Sequence, residues 1–313
     1  YHLAKKLLKD GHEVVSYDAF VNYLSPYQSH YPEYLQLRLK ELDVYKKLTI
    51  IRGDIRYRSL LIDAMNETQP DIVIHLAAIP IATVCDRYPE EASAVNLDGT
   101  LNVLEAMKIY GKVKRFVYAS SSFAYGHFKK PIANEEHPTS PIDSYGAAKL
   151  VGENLTRSFS ERFSVEHVIV RPSAVYGPTD PNRRVSQIFV ENAIMGKPLM
   201  LHEGGEQRLD FTFVDDLVEG FVLAALHPKA KNNTFNMTTG SSRKIKDFAR
   251  IIKKVLPKTK LEIQQVMDPG DLARPKRGTL SIEKAKKLLG FRPKFSLETG
   301  IPAYIEFILR SKV

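Results

Sequence analysis

Tyr145 and Lys149 stand four residues apart in Ser144-Tyr-Gly-Ala-Ala-Lys149, at the opening of a long helical pattern. That spacing puts both side chains on one helix face. A phenol titrates near pH 10 unaided and is a poor base at neutral pH. A neighbouring ammonium favours the phenolate, which lets a tyrosine draw a proton from an alcohol. Alone, the spacing is weakly specific, because ordinary surface pairs share it. Its context is more telling. The β-rich run 115–119 leads into Ser120-Ser-Ser-Phe-Ala-Tyr-Gly126. Small hydroxyls at the C-terminal end of a strand suit donation to a substrate oxygen, although they also serve turns.

These residues need a scaffold, and the chain alternates the two periodicities that build one. Strand-like runs at 13–17, 48–51, 71–76, 115–119, 167–170 and 234–237 are separated by helical patterns at 60–66, 96–109, 145–163 and 214–226. Such alternation predicts an α/β fold, a Rossmann-like doubly wound parallel sheet with helices on both faces and function at the strand C-termini. After residue 173 the alternation weakens and Pro178, Pro181, Pro198, Pro257, Pro269 and Pro275 punctuate shorter elements. The expected organisation is a dinucleotide-binding domain over 1–172 that also receives about 213–238, with 173–212 and 239–313 forming a smaller interleaved substrate lobe. The chain opens without Met on 1–9, already the body of an amphipathic helix, so a preceding segment is expected.

Composition narrows the function classes. The 45 Lys and Arg stand beside 36 acids for a net charge of +9, with no dense basic run interleaved with aromatics. A solvated surface with a phosphate-bearing ligand fits better than a nucleic-acid partner. The longest apolar stretch, 72–84, is interrupted by His75 and Pro80, so no transmembrane helix is expected. A single cysteine, Cys85, rules out an internal disulfide and fits a cytoplasmic setting. The nine histidines show no ligand spacing, so no metal is expected; His75 reads as core and Cys85 as a packed small residue.

Seven segments together resemble the extended short-chain dehydrogenase/reductases, in particular the NAD-dependent nucleotide-sugar epimerase/dehydratase family of UDP-glucose 4-epimerase-like enzymes. They are Gly53-Asp54-Ile55, His75-Leu-Ala-Ala78, Asn96-Leu-Asp-Gly-Thr100, Ser121-x-x-x-Tyr-Gly126, Tyr145-x-x-x-Lys149, Arg171-Pro-Ser-Ala-Val-Tyr-Gly-Pro178 and Arg208-Leu-Asp-Phe-Thr-Phe-Val-Asp215. By that resemblance Ser121, Tyr145 and Lys149 are the catalytic set, with Lys149 also holding the nicotinamide ribose of NAD. Asp18 resembles the acid that accepts from the adenosine ribose, favouring NAD over NADP. Asp54 and Ile55 fall at the adenine, and Leu76, Ala77, Ala78, Ile79 and Pro80 beside the pyrophosphate and ribose. Asn96 matches a cofactor-side residue, although an Asn there also suits a helix N-cap. Ser122, Phe123, Ala174, Arg208 and Arg274 fall in the substrate site. Arg208 resembles the arginine that meets the substrate diphosphate, with a salt bridge to Glu206 or Asp210 as its ordinary alternative.

The chain departs from the family at informative points. The first strand and glycine-rich loop that relatives carry ahead of the opening helix are missing. Ala174 stands where UDP-sugar epimerases commonly carry Asn, and Met267-Asp-Pro-Gly-Asp271 lacks the arginine often found before it, which Arg274 or Arg277 could replace. Ser122 and Phe123 replace the Asp-Glu pair of 4,6-dehydratases, which disfavours elimination of water. The resemblance implies NAD-dependent C4 epimerisation of a nucleotide-diphosphate sugar through a transient 4-keto sugar, in a homodimer joined through helices 96–109 and 145–163. A net reductase or dehydrogenase on a keto-sugar, and a non-catalytic Rossmann-like binding protein with RNA as one candidate ligand, remain alternatives.

Overall fold

The computed structural model describes residues 1–23, 30–265 and 275–311. Four strands form a parallel sheet in the order Asn233–Asn236, Glu166–Arg171, Arg115–Ala119, Ile72–His75. Two more, Val14–Asp18 and Leu48–Arg52, pair in parallel from Val14 opposite Leu48 to Asp18 opposite Arg52. Parallel neighbours need crossovers long enough to hold a helix. The connections here carry Tyr31–Leu42, Arg58–Thr68, Gly99–Tyr110, Ser144–Phe163 and Val214–Leu226. The expected parallel sheet is therefore present in two parts, of four strands and two. Among the described residues Val14–Asp18 and Ile72–His75 each have one strand neighbour.

Side chains of a strand alternate between its faces, and the strand Arg115–Ala119 uses both. Val117 joins Val168, Val170, Leu217, Phe221 and Leu3 on one side. Phe116 and Tyr118 join Ile169, Leu61, Met65, Val103 and Leu104 on the other. Helices thus cover both faces, which is why this strand reads as a continuous apolar run. Each such fully buried side chain contributes about 1.5–3 kcal/mol relative to exposure.

A third core draws on residues distant in sequence. Tyr176, Phe211, Phe213 and Phe248 pack with Ile301, Tyr304 and Ile305. Helix Ile245–Val255 presents Ile245, Phe248, Ala249 and Ile252 to it, the three-and-four spacing of an amphipathic helix. Helix Tyr31–Leu42, unmarked in the sequence reading, buries Tyr34, whose hydroxyl reaches Glu191 at 3.5 Å.

The helix expected to open at residue 96 begins differently. Ala94–Asp98 forms a π-helical turn and the α-helix proper is Gly99–Tyr110. Among the described residues no helix is long and apolar enough to cross a membrane, and no group of three or more His, Cys, Asp or Glu could hold a metal.

Candidate active site

Helix Ser144–Phe163 starts sharply because Asp143 caps it, its Oδ1 accepting from the Gly146 N–H at 2.8 Å. Ser144 Oγ donates to Asp86 at 2.6 Å. Gly146 then lets the helix touch the turn Ser122–Tyr125, since a Cβ there would lie 2.7 Å from the Phe123 carbonyl oxygen. This contact brings Tyr145 against the end of strand Arg115–Ala119.

Ser121, Tyr145 and Lys149 meet there, at 6%, 7% and 4% exposure. Lys149 Nζ donates to the Ala119 carbonyl at 2.8 Å and lies 5.9 Å from the centroid of the Tyr145 ring. Ser121 Oγ accepts from the Phe123 N–H at 3.2 Å, capping the turn. The turn role read from the serine cluster is thus seen at Ser121, which lies in the same buried cluster as Tyr145 and Lys149.

Burial sets the proton affinities. It raises the Tyr145 phenol above its ordinary value, against the opposing pull of the Arg184 guanidinium and the Ser121 hydroxyl. It lowers the Lys149 ammonium to about 8. The leading positive influence on the phenol is thus Arg184, which the sequence reading did not single out; its Nη2 donates to the Pro80 carbonyl at 3.3 Å.

The cofactor candidates line the neighbouring strand ends. Asp18 closes the strand Val14–Asp18 with an exposed side chain, one oxygen accepting from the Phe20 N–H at 2.8 Å. Asp54 is gripped by Arg56, with Nη2 to Oδ2 at 2.7 Å, which holds its carboxyl below the usual range. Ile55 is buried. Leu76 and Ala77 are exposed just past the strand Ile72–His75, Ala78 and Pro80 are half-buried, and Ile79 is buried. Asn96 does not cap a helix. Its Oδ1 accepts from the Ile79 N–H at 2.8 Å and its Nδ2 donates to the Ile79 carbonyl at 3.2 Å, clamping the loop 76–80 from within. The buried Cys85 thiol donates to the same carbonyl at 3.3 Å. His75 is core: burial pushes its imidazole down to about 3, and its Nε2 meets Thr100 Oγ1 at 3.0 Å.

On the other side lies a cleft of about 540 Å³, lined by Phe128, Lys129, Lys130, Arg208, Lys276 and Arg277 among others. Among the described residues Arg208 is not held by an acid. Its Nε donates to Ser242 Oγ at 3.1 Å and its Nη2 to the Ser242 carbonyl. Glu206 instead pairs with Lys244 and Lys246. Arg277 reaches from this wall toward Tyr145: Nη1 donates to Ser122 Oγ at 3.1 Å, and the guanidinium lies 4.3 Å from the centroid of Phe123, which meets Tyr145 edge-on at 5.6 Å. Ala174 adopts a left-handed backbone, φ 35°. Arg274 and the 267–271 stretch lie outside the described residues.

The NAD dependent epimerase/dehydratase family matches residues 1–238, and the chain belongs to that family. A probable UDP-glucuronate 4-epimerase of Rhizobium meliloti is 27% identical over 326 residues, covering 98% of this chain and 93% of the relative. The UDP-glucose 4-epimerase of Mycolicibacterium smegmatis is 28% identical over 310 residues, covering 97% and 93%. Among solved structures, UDP-glucuronic acid 4-epimerase from Bacillus cereus, in complex with UDP-glucuronic acid and NAD, superposes with a TM-score of 0.87 at 28% identity, covering 99% of this chain and 95% of that one. UDP-glucose 4-epimerase from Thermotoga maritima, with UDP-glucose, gives 0.85 at 27% identity, covering 100% and 96%.

Proposed function

We propose that this chain is a nucleotide-sugar epimerase acting at C4 of the sugar. The observation that carries this reading is the convergence of Ser121, Tyr145 and Lys149 in one buried cluster between open strand ends and a cationic cleft. Relatives named for UDP-glucose and UDP-glucuronate 4-epimerisation support it.

The residues present fit a dinucleotide. Asp18 offers an exposed carboxylate for ribose hydroxyls, Leu76 and Ala77 leave an apolar strand end uncovered, and Asn96 keeps the loop 76–80 in place. Asp54 and Ile55 border the same side, although the Asp54 carboxylate is committed to Arg56. NAD bound there would supply a hydride acceptor and donor and, in its oxidised form, positive charge. Tyr145 takes the proton from the C4 hydroxyl and returns it, while Ser121 donates to the same oxygen. Lys149 favours the phenolate and holds the nicotinamide ribose, and Arg184 adds positive charge at the phenol. Arg208 meets the diphosphate, with Lys276 and Arg277 adding charge along the same cleft. Ser122, Phe123 and Ala174 border the sugar.

The same reading divides the chain into 1–172 with about 213–238 for the cofactor, and 173–212 with 239–313 for the nucleotide. It places the enzyme in the cytoplasm as a homodimer. Leu101 and Ile109 on one long helix, and Val151 and Phe163 on the other, are exposed apolar side chains suited to a four-helix contact. Sedimentation velocity reads that contact: a dimer that Val151→Glu splits supports it, and a concentration-independent monomer counts against it.

The function is tested by incubating the chain with NAD and UDP-, GDP-, CDP- or dTDP-sugars and following both NMR and absorbance at the NADH band. Interconversion of C4 epimers without net NADH is expected. Stoichiometric NADH change would make it a dehydrogenase or reductase, and salt-sensitive RNA retention without turnover would make it a binding protein.

A further inference from the structure

The helix that carries Tyr145 and Lys149 carries a third residue at the same spacing. Glu153 lies one turn beyond Lys149 and is wholly buried. Its carboxylate receives four hydrogen bonds: from Ser120 Oγ at 2.6 Å, from Arg171 Nε at 2.7 Å and Nη2 at 2.6 Å, and from Arg157 Nη2 at 2.8 Å. Arg171 is itself 3% exposed and stacks 4.6 Å from the centroid of Tyr125.

This carboxylate joins three elements at one level of the sheet. Glu153 belongs to the helix of the phenol and ammonium. Ser120 follows the strand Arg115–Ala119 and precedes Ser121. Arg171 ends the strand Glu166–Arg171. Backbone bonds tie the same level, Ser120 N–H to the Val170 carbonyl at 2.8 Å and Ser122 N–H to the Pro172 carbonyl at 2.9 Å. A buried ion pair is a poor device for stability alone, because desolvating two charges costs about as much as their attraction returns. What it does supply is direction: a planar guanidinium and a fixed carboxylate accept one geometry. Residues 145, 149 and 153 share a helix face, so fixing the carboxylate fixes the rotation of the face that presents the phenol to Ser121.

We propose that Glu153 and Arg171 act as a positioning pair that sets the Tyr145 hydroxyl and Lys149 ammonium against Ser121. Neither touches the reacting atoms. The inference rests on the assignment of chemistry to those three residues. A misplacement of about 1 Å at a reacting group costs on the order of 100-fold in rate, so the pair acts on kcat and leaves nucleotide binding, on the far wall, unchanged.

The test pairs Glu153→Leu/Arg171→Met, which replaces both charges with apolar groups of similar size, with the milder Ser120→Ala, which cuts only the link to the serine turn. For the double variant the expected result is a folded protein, a fall in kcat of at least 10-fold, on the scale of a misplaced reacting group, and an unchanged KM for the nucleotide sugar. Ser120→Ala should lower kcat several-fold, again at constant KM, and it serves if the double variant does not fold. A folded variant with parental kcat overturns the proposal. A second readout needs no substrate: the ultraviolet titration of Tyr145, taken as the difference between each background and its Tyr145→Phe partner. A midpoint displaced between variant and parent supports the pair's role, and a midpoint that stays put overturns it. A parent inactive on every nucleotide sugar therefore counts against the functional reading alone.

Discussion

The wall around Tyr145 and the wall of the neighbouring groove solve opposite electrostatic problems. Around Tyr145 the ionisable groups are buried, and desolvation moves them from their ordinary values: the phenol up, the Lys149 ammonium down to about 8. Along the groove wall Lys129, Lys130 and Lys276 line an open surface, and among the described residues Arg208 is anchored by a serine rather than an acid. Burial makes proton transfer adjustable on the first wall. Cationic side chains along an open groove make the second a binding surface for an anion. The difference teaches that substitutions on the first wall should appear in kcat and on the second in KM.

The largest expected effect breaks the comparison if it fails. Tyr145→Phe removes the proton carrier, and kcat should fall by about 100- to 10,000-fold with KM little changed. A change confined to KM would move Tyr145 to the binding wall. Arg208→Ala should raise KM by roughly 10- to 100-fold, the worth of one or two hydrogen bonds to a charged group, with kcat nearly kept. Steady-state kinetics on the two variants side by side checks both.

A smaller effect sharpens the account of burial. Lys149 has its folded value lowered from 10.5 to about 8. Below pH 8 it is protonated in both states and its charge is disfavoured only in the folded one. Between about 8 and 10.5 the unfolded chain holds more protons, so this group's penalty fades as pH rises. Lys149→Met should therefore melt higher than the parent near pH 7, with the gap closing toward pH 10.5, even as activity is lost. An equal gap at both pH values would refute the desolvation assignment. The smallest effect concerns Ala174, whose left-handed backbone costs about 1–2 kcal/mol for a residue with Cβ. Ala174→Asn, better tolerated at that φ, should raise Tm by a few degrees in a calorimetric scan, and a lower Tm would contradict the strain.

What the sequence disclosed follows the same division. The strand Arg115–Ala119 and the helix Ser144–Phe163 were legible because one is an apolar run covered on both faces and the other repeats its functional residues every four positions. Their joint placement of Ser121, Tyr145 and Lys149 followed. Helix Ile245–Val255 carried a readable amphipathic spacing that the reading passed over. Helix Tyr31–Leu42 carried less, because its anchor Tyr34 is buried by partners far along the chain. Asn96 resolves only part of its reading: the helix-cap alternative is not what its side chain does, since its bonds go to Ile79 across 17 positions. Arg184 influences the phenol through space, and no spacing rule connects residue 184 to residue 145.

The central claim is that hydride leaves and returns to one carbon while Tyr145 handles the hydroxyl proton. A nucleotide sugar deuterated at C4, incubated with the chain and NAD in ordinary water, tests it by NMR. The account predicts the C4 epimer with deuterium still on C4. An epimer that has exchanged that deuterium for solvent hydrogen would contradict it.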